Sequence, residues 1–423
     1  LSSTNTETAA DSITYHRLDN GLRVVLVPPS TADVSRLFII SLGGLISETP
    51  TNNGVSTLLA SLIGKGSRRY TKDFIQSQIQ DHGAEYFTRS GMNTVYSGFA
   101  SRSEDFVTLM PLISASTLDA SFAKEDIEQQ KQLQSIMIET RSDNWYRDLN
   151  TQFMQAFYPD HPYGMPKMGT LDSLESIDRE VLMQHYDRLL NPKTMVLVLS
   201  SDMPEGKQLA IAEKYWGKFS AKPGQAPISI NSPPSHSDAQ HWDFTVKQDV
   251  GGYFLAVDAP DIKTNPRELL KIDLLDALLS GLGYPSGPLH EQLRGQELVY
   301  ETHAMHRPLL GTGMFLLYAL SRPESLEQVD SSVRQILKDF QDKPVSDTEL
   351  NLAKDKLKFY DASQVANKES QMLITGLNTL YKLPKNLTQK RQDWLQSITP
   401  KDIQTLAQKL FQNPQSAKGT PKK

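Results

Sequence analysis

The chain has 423 residues, with 24 Gly, 24 Pro, no Cys, and 44 basic against 49 acidic side chains. At roughly 150 residues per domain it makes two to four domains, and 22% charged with 38% hydrophobic residues exclude a wholly disordered, collagenous or low-complexity chain. Without Cys there is no disulfide scaffold, thiolate zinc site, Fe–S cluster or thiol nucleophile, and a net charge of −5 without long runs of one sign gives no broad footprint for nucleic acid or anionic membrane.

The opening residues 1–11 are rich in Ser, Thr and Ala and are expected to form a flexible leader. A start at Leu rather than Met is expected to reflect either a removed presequence or a trimmed chain. Two β-rich runs, 13–18 and 22–28, flank Asp19-Asn20-Gly21, a strong hairpin signal. Residues 36–42 read as a third strand. Over 53–65, Val55, Leu58, Leu59, Leu62 and Ile63 recur at helical spacing, and Gly64 and Gly66 close the pattern. A second helix over 71–81 starts at an N-cap Thr. A strand pair follows at 84–89 and 94–100, then helices at 104–118, 124–140, 143–157 and 174–190. Residues 195–200 form a short apolar strand and 204–217 a helix. The apolar stretches 37–42 and 195–199 fall far short of the ~20 residues of a membrane span.

Residues 220–240 hold four Pro among Ser and Gly and read as an extended linker. The order then recurs. Strands are expected at 241–246 and 252–257, helices at 268–282 and 288–297, a strand pair at 299–306 and 313–320, and helices at 325–340 and 346–360. Residues recur too. FAKEDIEQQK (122–131) resembles VSDTELNLAK (345–354), and 177–192 resembles 398–414. An offset of roughly 220 residues indicates a duplicated unit. The fold class expected is α+β, with two homologous domains at 12–219 and 241–412, each a mainly antiparallel sheet covered by helices. The copies differ at their ends. Asn191-Pro192 leads into MVLVLSS, whereas Asn413-Pro414 leads into the polar QSAKGTPKK, so 413–423 is expected to be a disordered tail.

Chemistry-bearing clusters are sparse. Of nine His, His303 and His306 are close, but residues three apart on a strand point to opposite faces. Ser56, Thr57 and Ser61 lie in no G-x-S-x-G elbow. GLGYPSG (281–287) lacks the G-K-[ST] of a phosphate loop.

Four segments, taken in order and spacing, resemble the insulinase/pitrilysin family of zinc metallopeptidases, the inverzincins. They are LDNGLRVVLVP (18–28), SLGGLISE (41–48) with Gly54, HPYG (161–164) with Gly169, and Leu293-Arg294 with Tyr300. The family's zinc helix carries H-x-x-E-H, two His that bind metal and a Glu that serves as general base. The resemblance places Thr57 and Ser61 at the ligand positions, Ala60 at the base, and Glu139 at the third ligand. A hydroxyl is a poor zinc ligand and Ala accepts no proton, so no metal is expected in this chain. Arg294 and Tyr300 match an Arg/Tyr pair that the family places across the cleft from zinc, with a spacing one residue shorter than usual.

The resemblance thus implies the zinc-less, non-catalytic subunit of a bacterial heterodimeric peptidase, inactive on its own. Zinc would be held by a homologous partner, and Arg294 and Tyr300 would act in trans on a peptide or unfolded protein bound by strand addition. The loop with Gly281, Gly283 and Gly287 would line the cleft. A periplasmic or otherwise exported location follows from those relatives and suits a chain without Cys. Two other readings are a structural core-type subunit of a membrane respiratory complex and a peptide-binding protein without a peptidase partner.

Overall fold

The computed structural model describes residues 12–30, 33–282 and 284–422; the expected leader and Gly283 lie outside the described residues. The first hairpin is β1 (Thr14–Arg17) with β2 (Arg23–Leu26), and the Asn20 side chain accepts from the Leu22 amide in its turn. β3 (Val34–Leu42), α1 (Val55–Leu62) and α2 (Lys72–Asp81) follow, then β4 (Glu85–Ser90), β5 (Thr94–Arg102), α3 (Ser103–Leu118), α4 (Lys124–Glu139) and α5 (Trp145–Phe157). The helix expected over 174–190 is two, α6 (Leu171–Ser176) and α7 (Arg179–Leu189), because the Asp178 side chain caps the Val181 amide and restarts the helix. β6 (Met195–Ser200) and α8 (Glu205–Trp216) end the first half. The second half runs β7 (Gln240–Val246), β8 (Gly251–Ala259), α9 (Pro266–Ser280), β9 (Val299–Pro308), β10 (Gly313–Ser321), α10 (Leu326–Asp342), α11 (Asp347–Ala366), α12 (Lys368–Leu380), α13 (Leu387–Ser397), α14 (Pro400–Leu410) and β11 (Gln415–Pro421).

The duplication is visible strand by strand. One sheet has the order β1-β2-β6-β3-β5-β4 and the other β7-β11-β8-β10-β9. In the first, β6 runs parallel to β2 and antiparallel to β3. In the second, β11 runs parallel to β7 and antiparallel to β8. The expected disordered tail is therefore the second copy of β6. Three of its polar side chains find partners. Ser416 Oγ lies 3.0 Å from both His241 Nδ1 and Arg334 Nη2, Gln415 Nε2 donates to the Asp238 and Asn413 carbonyls, and Lys418 pairs with Glu327 at 2.6 Å. The recurring sequence segments also do the same thing twice. Lys131 Nζ donates to the carbonyls of Glu175 and Ile177, and Lys354 Nζ to those of Gln396 and Ile398.

The chain divides into two compact units, 1–138 with 167–229 and 367–383, and 139–166 with 230–366 and 384–423. The crossing at 229/230 lies inside the Pro-rich stretch. Two segments, however, belong to the opposite unit from the one expected. α5 packs on the second sheet, with Phe153 against Phe254 and Trp242. α12 packs on the first, where Gly376 brings its backbone down on Ile40 and Val198. A sheet with helices on one face still has a second apolar face to cover, and α5 and α12 cover it by exchange. The 161–164 segment is likewise a tie within the second unit. His161 Nε2 donates to the Asn231 carbonyl at 2.8 Å, and the Tyr163 hydroxyl bonds both the carbonyl and the amide of Leu310.

Because an ideal Cβ on Gly376 would lie 2.4 Å from Ile40 Cδ1 and 2.8 Å from Val198 Cγ2, Gly376→Leu overpacks this contact. The expected cost is about 1–3 kcal/mol, read as a lowered urea midpoint at unchanged slope.

Candidate functional site

α1, which the resemblance aligns with the family's zinc helix, is held from its N-terminus. Glu48, buried, accepts from the amides of Gly54 and Ser56 and from Asn53 Nδ2 at 2.7–2.9 Å, which satisfies orphan donors and complements the helix dipole. Burial nevertheless pushes its carboxyl above the usual range. Gly54 is in the left-handed region (φ 94), and a Cβ there would meet the Met168 carbonyl at 2.5 Å, so no other residue fits that position without strain.

The three positions of interest stand on this helix with other tasks. Thr57 Oγ1 donates to the Lys167 carbonyl at 2.9 Å, Ser61 Oγ donates back to the Leu58 carbonyl at 2.7 Å, and Ala60 is buried. The Lys167 ammonium is held below the usual lysine range, first by desolvation and then by the Arg89 charge, with Glu48 opposing. Ser56 Oγ lies 2.9 Å from His185 Nε2. That pair resembles a nucleophile and base, but Ser56 is 1% exposed and meets no substrate, and burial pushes His185 down to about 3. It is a neutral structural pair.

On α4 it is Gln134 that reaches α1, its amide donating to the Gly54 and Met168 carbonyls at 3.1 and 2.8 Å. Glu139, expected as the third-ligand position, is the exposed last residue of this helix, turned roughly 140° from Gln134 at 100° per residue. The face of α4 that meets α1 therefore offers an amide. Among the described residues no group of three or more His, Cys, Asp or Glu is placed to hold a metal ion. Two hydroxyls that donate to carbonyls and an Ala do not fit a zinc ion.

The other expected pair lies in the second unit. Arg294 ends a single π-helical turn, Leu289–Arg294, and is exposed. The turn closes through Gly295 N to His290 O and Leu298 N to Leu293 O, both 2.9 Å. Tyr300 is the second residue of β9 and is 61% exposed. The register explains this. Leu320 faces Glu301 while Ser321 faces Val299, so Tyr300 is the extra residue of a β-bulge. Simple alternation from the buried Thr302 and Ala304 would point residue 300 inward; the bulge turns Val299 in and Tyr300 out. Between the two, Glu297 holds φ 58, a region costly for a residue with a Cβ. Glu297→Gly is expected to stabilise the chain by about 0.5–1 kcal/mol, the relief exceeding the entropy that Gly loses. A denaturant titration reads it directly.

In the expected substrate-lining loop, Gly281 (φ 78) caps the end of α9. A Cβ on Gly287 (φ 80) would meet the Leu278 carbonyl at 2.5 Å. Both positions have a structural reason for Gly. His303 and His306 do point apart. His303 packs against the Tyr318 ring, whereas His306 Nδ1 faces Asp273. Residues that sequence reasoning did not single out are Glu48, Gln134, Lys167 and His185. Only Glu48 had a local signal, an acidic residue just ahead of a helix.

Each unit also presents one edge strand beside these residues. β4 is the outer strand of the first sheet and packs against α1, and β9 is the outer strand of the second. No helix of the described residues is long and apolar enough to cross a membrane.

Comparison with known proteins agrees with this architecture. The family model "Insulinase (Peptidase family M16)" matches residues 23–171, and "Peptidase M16 inactive domain" matches residues 176–357. A protein of Bacillus subtilis described as an uncharacterized zinc protease is 20% identical over 94% of this chain and 96% of its own length. Two solved structures superpose with TM-scores of 0.88. One is a protease from Helicobacter pylori, 16% identical, covering 97% of this chain and 100% of its own. The other is a peptidase M16 inactive domain from Pseudomonas fluorescens, 18% identical, covering 97% and 99%. The two matched segments make up most of the chain, in the order of the duplicated units: the protein belongs to the insulinase, or M16, peptidase family.

Proposed function

We propose that this chain is the non-catalytic subunit of a heterodimeric M16 peptidase, presenting Arg294 and Tyr300 to a peptide held by a homologous zinc-bearing partner. The asymmetry of the two halves of the site carries the reading. At Thr57, Ala60 and Ser61 the metal chemistry is gone and the hydroxyls donate to carbonyls. Arg294 and Tyr300, by contrast, remain exposed. A guanidinium donates two parallel hydrogen bonds to a carboxylate or carbonyl, and a phenol donates to the oxyanion of a tetrahedral intermediate. An unpaired sheet edge offers backbone groups to an extended peptide. Loss of one half of a two-part site with retention of the other fits division of labour between two chains. On this reading the lone chain cuts no peptide, zinc enters with the partner, and an exported, periplasmic location is expected.

The test is a tagged pull-down from the source organism, with the eluted complex weighed and its zinc counted. One zinc per pair of similar-sized chains, with peptide cleavage that the lone chain lacks, supports the proposal. A zinc-free assembly or a haem-bearing membrane complex would overturn it.

A further inference from the structure

A cavity of about 400 Å³ opens in the second unit between α9, β9, α11 and α13, and neither Arg294 nor Tyr300 lines it. Its size is that of a small-ligand site. Along β9 its wall is His303, Met305 and His306. Successive strand residues face opposite sides, so a wall that includes both parities follows the strand's edge. β9 is the outer strand on that side of its sheet.

The polar groups in the wall are mostly acceptors. The His306 side chain is 3% exposed, its Nδ1 faces Asp273 Oδ1 at 3.5 Å, and its Nε2 is buried without a partner. With the proton assigned to Nδ1, which faces the carboxylate, Nε2 of the neutral ring is an acceptor. Asp276 is buried on α9 and takes the Ser280 hydroxyl on Oδ1 at 2.7 Å. The cation in this wall, Arg391, is already neutralised. It donates to Asp361 at 3.0 and 3.2 Å and to Asp273 at 3.0 Å. Tyr360 adds an exposed aromatic ring. A buried imidazole acceptor, a carboxyl group with no cation and a π-face suit a ligand group that is positively charged and rich in donors.

We propose that this cavity is a side pocket for the ammonium or guanidinium group of a Lys or Arg side chain, in a peptide laid along the outer edge of β9. The inference rests on the peptide-binding reading above and adds the substrate class, basic peptides. The cation would donate to Asp276 and His306 Nε2 and lie against Tyr360. A pH dependence follows. Burial first, and the Asp273 charge second, raise Asp276 to about 7 against the opposing Ser280 hydrogen bond. The groups around it are Asp273 and Ser280 on α9, His303 and His306 on β9, Tyr360 and Asp361 on α11, and Arg391 on α13. The cation favours the ionised carboxylate, so affinity is expected to rise about tenfold from pH 6 to pH 8.

The experiment is an NMR titration of the full, partner-free chain with acetylated, amidated hexapeptides that differ only in a central Lys, Arg or norleucine, and with agmatine as a free cation. The Lys and Arg peptides are expected to bind at least tenfold tighter than the norleucine peptide, with Asp276→Asn abolishing the difference. His306→Gln, expected to weaken binding several-fold, serves as the second variant should Asp276→Asn not fold. Equal affinity for norleucine, or a preference unchanged in both variants, would overturn the proposal. Agmatine binding without peptide binding would overturn the peptide assignment. Since binding is read on the lone chain, inert Arg294 and Tyr300 variants in the complex would refute the in-trans role without touching this pocket.

Discussion

Tyr300→Phe, in the complex of this chain with its zinc-bearing partner, is expected to lower kcat about a hundredfold while assembly and zinc content stay unchanged. The phenol hydroxyl is asked to donate to the oxyanion that exists only as the tetrahedral intermediate forms. Deleting one such donor typically costs 10²–10³ in kcat, with little effect on KM because the interaction is absent in the ground state. Arg294→Ala is expected to behave differently. Its fork would hold a carboxylate or carbonyl already present in the bound peptide, and a charge-assisted hydrogen bond contributes about 1.5–3 kcal/mol. The loss should therefore fall mainly on KM, by about ten- to a hundredfold. Neither change should disturb the fold, since both side chains are exposed. Tyr215→Phe, on α8 of the first unit, is the control and should leave turnover unchanged. If Tyr300→Phe turns over like the parent complex, the in-trans role is refuted.

Which parts of this were legible in the sequence follows from how local each feature is. H-x-x-E-H occupies five consecutive residues, so the resemblance can align Thr57, Ala60 and Ser61 with it without any structure. The occupation of those hydroxyls cannot be read that way, because the Thr57 bond reaches Lys167, 110 residues away. The duplication was legible because Lys131 with Ile177 and Lys354 with Ile398 recur as matched pairs, and both lysines turn out to cap the same kind of helix end. The exchange of α5 and α12 was not. Helical periodicity says that a helix has an apolar face, and it is silent on which sheet that face covers. Nor was the orientation of Tyr300, since a bulge is a property of two strands in register and alternation within one strand points the residue the wrong way. The contact of Gln134 with α1 was not legible either, because it depends on how α4 is turned against that helix.

The strand β11 shows the same limit most sharply and yields the largest stability effect. A chain ending at Pro414 is expected to lose the fold of the second unit outright. Seven residues of β11 pair with β7 and five with β8, so the strand sits between its two neighbours and joins them. With each backbone hydrogen bond worth about 1 kcal/mol net, its removal costs about as much as the 5–15 kcal/mol by which a domain is stable. It would also leave β7 and β8 with unpaired edges facing each other, a template for aggregation. QSAKGTP looks unlike a strand because strand prediction weighs apolar and β-branched side chains. A strand hydrogen-bonded on both sides is held chiefly by its backbone, provided its polar side chains find partners, as Gln415, Ser416 and Lys418 do. The measurement is hydrogen exchange with chemical denaturation on the truncated chain. Protection should vanish from β7, β8 and β10, while β2, β3 and β6 of the first unit keep theirs. Removing only 422–423, beyond the last paired residue Pro421, should change nothing. A truncated chain that unfolds at the parent's midpoint would mean that β7 and β8 hold the sheet without the strand between them, and that this segment is the dispensable tail its composition implies.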